Sequence, residues 1–185
     1  KEMAAESGYD TVIVATGSRP KMFSLGDDDR VYSAEQVLNG QKETGDTVAV
    51  VGGGLVGCET ALWLAKEGKK VTIVEALSGL MAVNGPICSA NKEMLERLIP
   101  YNGIETICNA RVTGFADGKL TADTADGEKV IPADSVILSV GYSSVADLYE
   151  ELRFDVPELY LLGDAKQVAN IMYAIWDAFE VANHI

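Results

Sequence analysis

Val48-Ala-Val-Val-Gly-Gly-Gly-Leu-Val-Gly-Cys-Glu59 decides how this chain is read. An apolar run of strand length ends in Gly52-x-Gly54-x-x-Gly57, and a helix-forming run, Leu55 to Glu67, follows it and stops at Gly68. Lys70 to Glu75 reads as a second buried strand, completing a βαβ unit around the glycines. Each glycine has its own task there: Gly52 makes the tight turn, Gly54 lets backbone approach a pyrophosphate, and Gly57 allows the helix to pack closely on the strand. The helix start, with Gly53, Leu55 and Val56, offers unpaired N–H groups and the positive end of the helix dipole. Glu75 ends the second strand, where a carboxylate accepts hydrogen bonds from an adenosine ribose, with Ala76 beside it. The plainer alternatives are glycines that serve only the turn, and a Glu75 that is merely a solvated strand end.

Forty-seven residues precede that stretch, and they already contain a strand-like run, Asp10 to Thr16, closed by Gly17 and Pro20. Ser33 is placed to cap a short helix from Ala34 to Leu38. Beyond the βαβ unit, Pro86 suits the first turn of a helix running to Ile99, whose inner face would carry Ile87, Met94, Leu95 and Leu98. Ile104 to Cys108 supplies another strand. The turn signals Asp117-Gly118 and Asp126-Gly127 divide Ala110 to Ile131 into a three-stranded meander, and Ser135 to Val140 is apolar enough for a buried strand. Leu159 to Leu162 leads into Gly163-Asp164. A last helix is expected from about Val168 to the C-terminus, with Ile171, Ile175, Ala178 and Phe179 facing inward.

Composition narrows the function classes. A chain of 185 residues, 48% hydrophobic, builds one or two compact domains. Its net charge of −13 is spread along the sequence, and the absence of Lys/Arg runs argues against a nucleic-acid partner. Cys58, Cys88 and Cys108 give neither a CxxC pair nor metal-ligand spacing, which points to a reducing compartment. No apolar stretch approaches the roughly 20 residues that span a bilayer, and the first residues lack the charged and apolar regions of a signal peptide. A cytoplasmic protein is expected. The chain starts with Lys1 and enters a strand almost at once, which leads us to expect a piece of a longer protein.

Two further motifs enclose the βαβ unit and the meander. Tyr9 to Pro20 (YDTVIVATGSRP) and Glu158 to Ala165 (ELYLLGDA) each end a buried strand in glycine, as needed where backbone passes close to a flat or phosphorylated ligand. In this order the motifs resemble the two-dinucleotide-binding-domain flavoproteins, in which an NAD(P)H domain is inserted into an FAD domain. ATGSRP, VYSAEQVLNG, VVGGGLVGCETALWLAKEGKKVTIVE, ADSVILSVG and LLGDAKQVANIMYAIWDAFEVANHI are more closely similar to the C-terminal region of the old yellow enzyme-like NADH:flavin oxidoreductases, which include 2-enoate and 2,4-dienoyl-CoA reductases. The implied fold is α/β: a Rossmann-like NAD(H)-binding domain with a β-meander (21–141) inside an incomplete FAD-binding domain (1–20 and 142–185).

The resemblance implies roles as well. Gly52, Gly54 and Gly57 would hold the NADH pyrophosphate, Glu75 the adenosine ribose and Glu59 the nicotinamide amide, while Gly141 would let the second cofactor's edge pass. Thr16 and Gly17 would close the first FAD segment, and Gly163 and Asp164 would open the last, near the ribityl or pyrophosphate. The amides of Asn170 and Ile171 would face the isoalloxazine. FMN and an iron–sulfur cluster would belong to a barrel domain absent from these residues, which is also the implied partner; self-association of the present chain is a further expectation. Glu59 could instead be a first-turn acid favoured by the helix dipole, and Asp164 a helix cap. The family often has Cys and a basic or proline residue after the GD, whereas Ala165-Lys166-Gln167 stand here. No catalytic acid or base is needed, since hydride would pass directly from nicotinamide to flavin, and His184 reads as a surface residue. A disulfide or ferredoxin reductase fragment and a non-catalytic NAD sensor are the competing functions.

Overall fold

A computed structural model describes residues 9–82 and 87–185, so the expected helix-opening Pro86 lies outside the described residues. The chain forms two compact units, one combining the chain up to Arg19 with Tyr142–Ile185, the other Pro20–Gly141. In chain order, β1 (Thr11–Val14) and β2 (Ser18–Pro20) come first. Then follow β3 (Val31–Ser33), α1 (Ala34–Leu38), β4 (Thr47–Val51), α2 (Leu55–Lys66), β5 (Lys70–Val74), α3 (Ser89–Tyr101) and β6 (Glu105–Ile107). The meander is β7 (Arg111–Ala116), β8 (Lys119–Thr124) and β9 (Gly127–Pro132), and β10 (Ser135–Leu138) returns to the main sheet. β11 (Tyr142–Ser144), α4 (Asp147–Leu152), β12 (Glu158–Leu161), a 3-10 turn (Gly163–Ala165) and α5 (Ile171–Ala182) complete the chain.

Unit Pro20–Gly141 is an α/β fold of Rossmann type. Its parallel sheet has the order β3-β10-β4-β5-β6, with Val48 opposite Val71 and Val136 opposite Ala49. Alternation explains why Val48 to Val51 of β4 are all apolar: successive side chains point to opposite faces, and both faces are covered. Val48 and Val50 pack with Ala61 and Leu64 of α2 and with Leu95 and Ile99 of α3. Ala49 and Val51 join Phe115, Leu120 and Ile131 of the antiparallel β7-β8-β9 sheet on the other face. Ser33 caps α1 through a reciprocal capping box with Gln36, and Gly68, at φ +86°, stops α2. On α3 the buried face is Leu95 and Ile99. Met94, expected inward, is exposed, because a face that follows i, i+4 from Leu95 to Ile99 turns its neighbour outward.

The second unit departs further from expectation. Among the described residues β1 pairs in parallel with β12 only, and β2 pairs with β11. Val14, Leu152 and Val156 form its small core. Ile13, in a run expected to be buried, is 46% exposed, because Val12 and Val14 face the small core and alternation turns Ile13 to the opposite face. α5 starts at Ile171 rather than near Val168, since Asn170 caps it and the 3-10 turn occupies the preceding chain. Its expected inner face is the outer one: Ile171, Ile175 and Phe179 are 79, 60 and 66% exposed. Ala178 lines the same unit's cavity together with Ala174. No helix of the described residues is long and apolar enough to cross a membrane.

Candidate functional site

β4 and β10 are neighbours in the sheet, but the chain leaves β4 toward β5 and reaches β10 only after the meander. The strand order therefore reverses between them, and open parallel sheets bind ligands outside the carboxyl ends of their strands at such a point. The two loops that meet there are the glycine loop and Ser139-Val140-Gly141. They are in close contact: a Cβ on Gly52, whose φ is +105°, would lie 2.3 Å from the Ser139 carbonyl oxygen. A Cβ on Gly57 would lie 2.0 Å from the Gly52 carbonyl oxygen, so helix and turn touch through backbone. Gly54 is different. It is the N-cap of α2 at φ −71°, ψ −177°, and a Cβ there would meet nothing within 4 Å. The first intrahelical bond runs from the Cys58 N–H to the Gly54 carbonyl, which leaves the Leu55 and Val56 amides as helix-start donors beside that open space. This cradle fits a pyrophosphate.

Glu75 is buried, with 9% exposure. One carboxylate oxygen accepts the Gly53 N–H at 2.5 Å and the other the Leu77 N–H at 2.7 Å. It is therefore no solvated strand end. Ala76 is exposed next to it. Glu59 is exposed on the second turn of α2, since the first turn holds no acid, so the dipole reading of this residue loses its basis. Gly141, at φ +93°, has open space where a Cβ would project, and its carbonyl accepts the Lys21 N–H.

The other sequence-predicted residues gather in the second unit. The Thr16 hydroxyl donates to the Val145 carbonyl, and the Gly17 carbonyl accepts the Val145 N–H at 3.0 Å. The Asp164 carboxylate joins distant parts of the chain: Oδ2 accepts the Ser18 hydroxyl at 2.9 Å and Oδ1 the Ala169 N–H at 3.1 Å. The cap of α5 is Asn170, whose side chain accepts the Tyr173 N–H, so Asp164 does not perform that task. A cavity of about 470 Å³ is lined by Gly17, Gly163, Asp164, Asn170 and Ile171 together with small alanines. Two residues that hold this loop escaped the sequence reading. Asp177 of α5 accepts the Gly163 N–H with one oxygen and the Lys166 ammonium with the other, at 2.6 Å, which also accounts for Lys166 after the GD. Ser18 is the other. A lone acid within the first two turns of a strongly apolar helix was the available signal for Asp177.

All three cysteines are free thiols. Burial, with Glu75 and Glu59 nearby, pushes the Cys58 thiol up to about 12, and burial also raises that of Cys108. With its thiol held protonated and buried, Cys58 should stay unlabelled by iodoacetamide at pH 8 in the native protein while exposed Cys88 reacts. Peptide mass spectrometry after brief alkylation checks this; native labelling of Cys58 at the rate of Cys88 would contradict the burial.

The profile of the pyridine nucleotide-disulphide oxidoreductase family matches residues 2–178. The chain belongs to this family. Among individual members of comparable sequence, cinnamate reductase from Clostridium sporogenes is 48% identical over 185 residues, covering all of this chain and 28% of that protein. NADH oxidase from Thermoanaerobacter brockii is 34% identical over 189 residues, covering 98% of this chain and 29% of that protein. The chain thus spans less than a third of either relative. A 2-naphthoyl-CoA reductase structure superposes with a TM-score of 0.90 over 100% of this chain and 28% of its own, at 24% identity, which speaks to the fold. These likenesses agree with the resemblance to NADH:flavin oxidoreductases drawn from the motifs.

Proposed function

We propose that this chain is the NADH- and FAD-binding electron-input portion of a flavin-dependent reductase whose final acceptor is an activated alkene. The observation that carries the proposal is the open space at Gly54 between the helix-start amides and the buried Glu75, in a family defined by pyridine nucleotides. The acceptor class rests on the 48% identity to a cinnamate reductase, and the cytoplasmic setting on three unpaired thiols.

In this reading Gly54 admits the pyrophosphate, Leu55 and Val56 donate to it, Glu75 and Ala76 border the adenosine ribose, and Glu59 reaches the nicotinamide amide. Gly141 leaves the passage beside β10 free of a side chain. In the other unit Thr16 and Gly17 hold the β1 turn open, Asp164 and Gly163 border the flavin's sugar-phosphate side, and the α5 start at Asn170 and Ile171 presents amides to its ring. When bound, the two cofactors supply the redox chemistry itself, a hydride passing from nicotinamide to flavin. The protein's share is stacking, orientation and placement of charge.

NADH should bind at least about tenfold more tightly than NADPH, because a 2′-phosphate would bring negative charge against the buried Glu75 carboxylate, and Ala76-Leu77 offer no cation. Calorimetric titration with both nucleotides checks the order. Equal affinity, or tighter NADPH, would remove Glu75 from the ribose site.

A further inference from the structure

The carboxylate of Glu75 is fully engaged before any nucleotide arrives, and its partner is the glycine loop itself. Gly53 is held from both sides. Its N–H is bound by Glu75, and its carbonyl accepts the Met81 N–H at 2.7 Å and the Cys58 thiol at 3.4 Å. Leu80 and Glu75 close the remaining side: a Cβ on Gly53 would lie 2.5 Å from the Leu80 Cδ2 and 3.2 Å from the Glu75 Cβ and Oε2, so a larger residue there would have to displace them. Met81 reaches its bond in a left-handed conformation, φ +52°, and is buried. The segment after β5 therefore folds back as a strap on the peptide that precedes Gly54.

We infer that Glu75 is a positioning residue for the phosphate-binding loop as well as a ribose ligand, and that the strap Glu75–Met81 fixes the direction of the Gly54 backbone. The inference rests on the nucleotide reading above and adds to it. With its N–H turned to Glu75, Gly53 does not serve the pyrophosphate, which is left to the first backbone amides of α2, Leu55 and Val56 among them. A ribose hydroxyl that donates to Glu75 uses a second lone pair of an oxygen already anchored, so the loop keeps its brace when the nucleotide binds.

The test uses the full-length protein and an NADH analogue whose adenosine ribose lacks both hydroxyls, alongside NADH. In Glu75→Gln, one oxygen becomes an NH₂ group facing either the Gly53 or the Leu77 N–H, donor against donor. Both ligands should then bind about tenfold more weakly or worse, including the analogue, on which a ribose ligand has nothing to act. Hydrogen exchange of the ligand-free protein should show the Gly53 amide protected in wild type and exposed in the variant. Glu75→Asp guards against simple misfolding: it keeps the charge but is one methylene too short to hold both amides. It should weaken the analogue along with NADH. Analogue affinity that is the same in wild type and Glu75→Gln, with only NADH weakened, would overturn the brace and leave the ribose contact standing. A wild-type protein with a protected Gly53 amide that binds no NADH would overturn the nucleotide reading, and the brace's part in binding with it.

Discussion

Gly54→Val should raise the dissociation constant for NADH by at least about 100-fold while leaving the fold intact. The backbone at Gly54 sits at φ −71°, ψ −177°, which valine adopts without strain, and its side chain would meet nothing within 4 Å in the ligand-free protein. The cost to the fold is confined to a poorer N-cap, at most about 1 kcal/mol. The branched side chain would fill the space in front of the Leu55 and Val56 amides, so a pyrophosphate would be pushed away from its donors. Gly57→Ala is the contrasting case: its methyl would lie 2.0 Å from the Gly52 carbonyl oxygen, so stability falls first, by about 1–3 kcal/mol. Circular dichroism melts alongside calorimetry separate the two. Unfolding of Gly54→Val, with no binding defect beyond it, would mean that the glycine serves the turn alone.

The 185-residue chain by itself should retain no FAD after gel filtration, and should elute as dimers or larger species. It contains a single GxGxxG, the one at Gly52, and the described flavin-side cavity offers Gly17, Asp164 and the α5 start but no second glycine loop for the flavin's pyrophosphate. On α5, Ile171, Ile175, Trp176 and Phe179 lie exposed along one helix. Large exposed apolar side chains of that kind drive association. Size-exclusion chromatography with light scattering, and the flavin absorbance of the eluted peak, report both properties. A yellow, stoichiometric monomer would contradict the assignment of the unit containing Tyr142–Ile185.

The βαβ unit was legible almost to the residue because its signals are local. β4 and β5 are short runs rich in β-branched residues, covered on both faces as parallel strands must be, and Gly68 stops α2 through a left-handed conformation that glycine supplies at least cost. The first meander turn was equally plain, since Asp117 and Gly118 both have positive φ, as a two-residue hairpin loop requires. β2, β11 and α4 were not foreseen: strands of three residues with polar members, and a helix of six, carry too little periodicity to stand out. The apolar stripe of α5 was read correctly as a stripe, but periodicity says which residues share a face and not whether these residues contain anything to cover it. In the site, the positions of Gly52, Gly54, Gly57 and Glu75 followed from the motif. The grip of Glu75 on Gly53, and of Asp177 on Gly163, depends on loops that fold back after a strand and on a contact between α5 and a turn, which no spacing in the sequence encodes.

The central claim is that reducing equivalents enter this protein as NADH at the Gly54 cradle and pass to the flavin of the same chain. Anaerobic stopped-flow mixing of the FAD-loaded full-length protein with NADH, followed at the flavin's visible band, tests it most directly. The expected result is rapid bleaching in the wild type, with less effect from NADPH at equal concentration, and loss of bleaching in Gly54→Val at NADH concentrations that saturate the wild type. Undiminished bleaching in Gly54→Val, with FAD still bound and the fold intact, would contradict the claim and place hydride entry elsewhere.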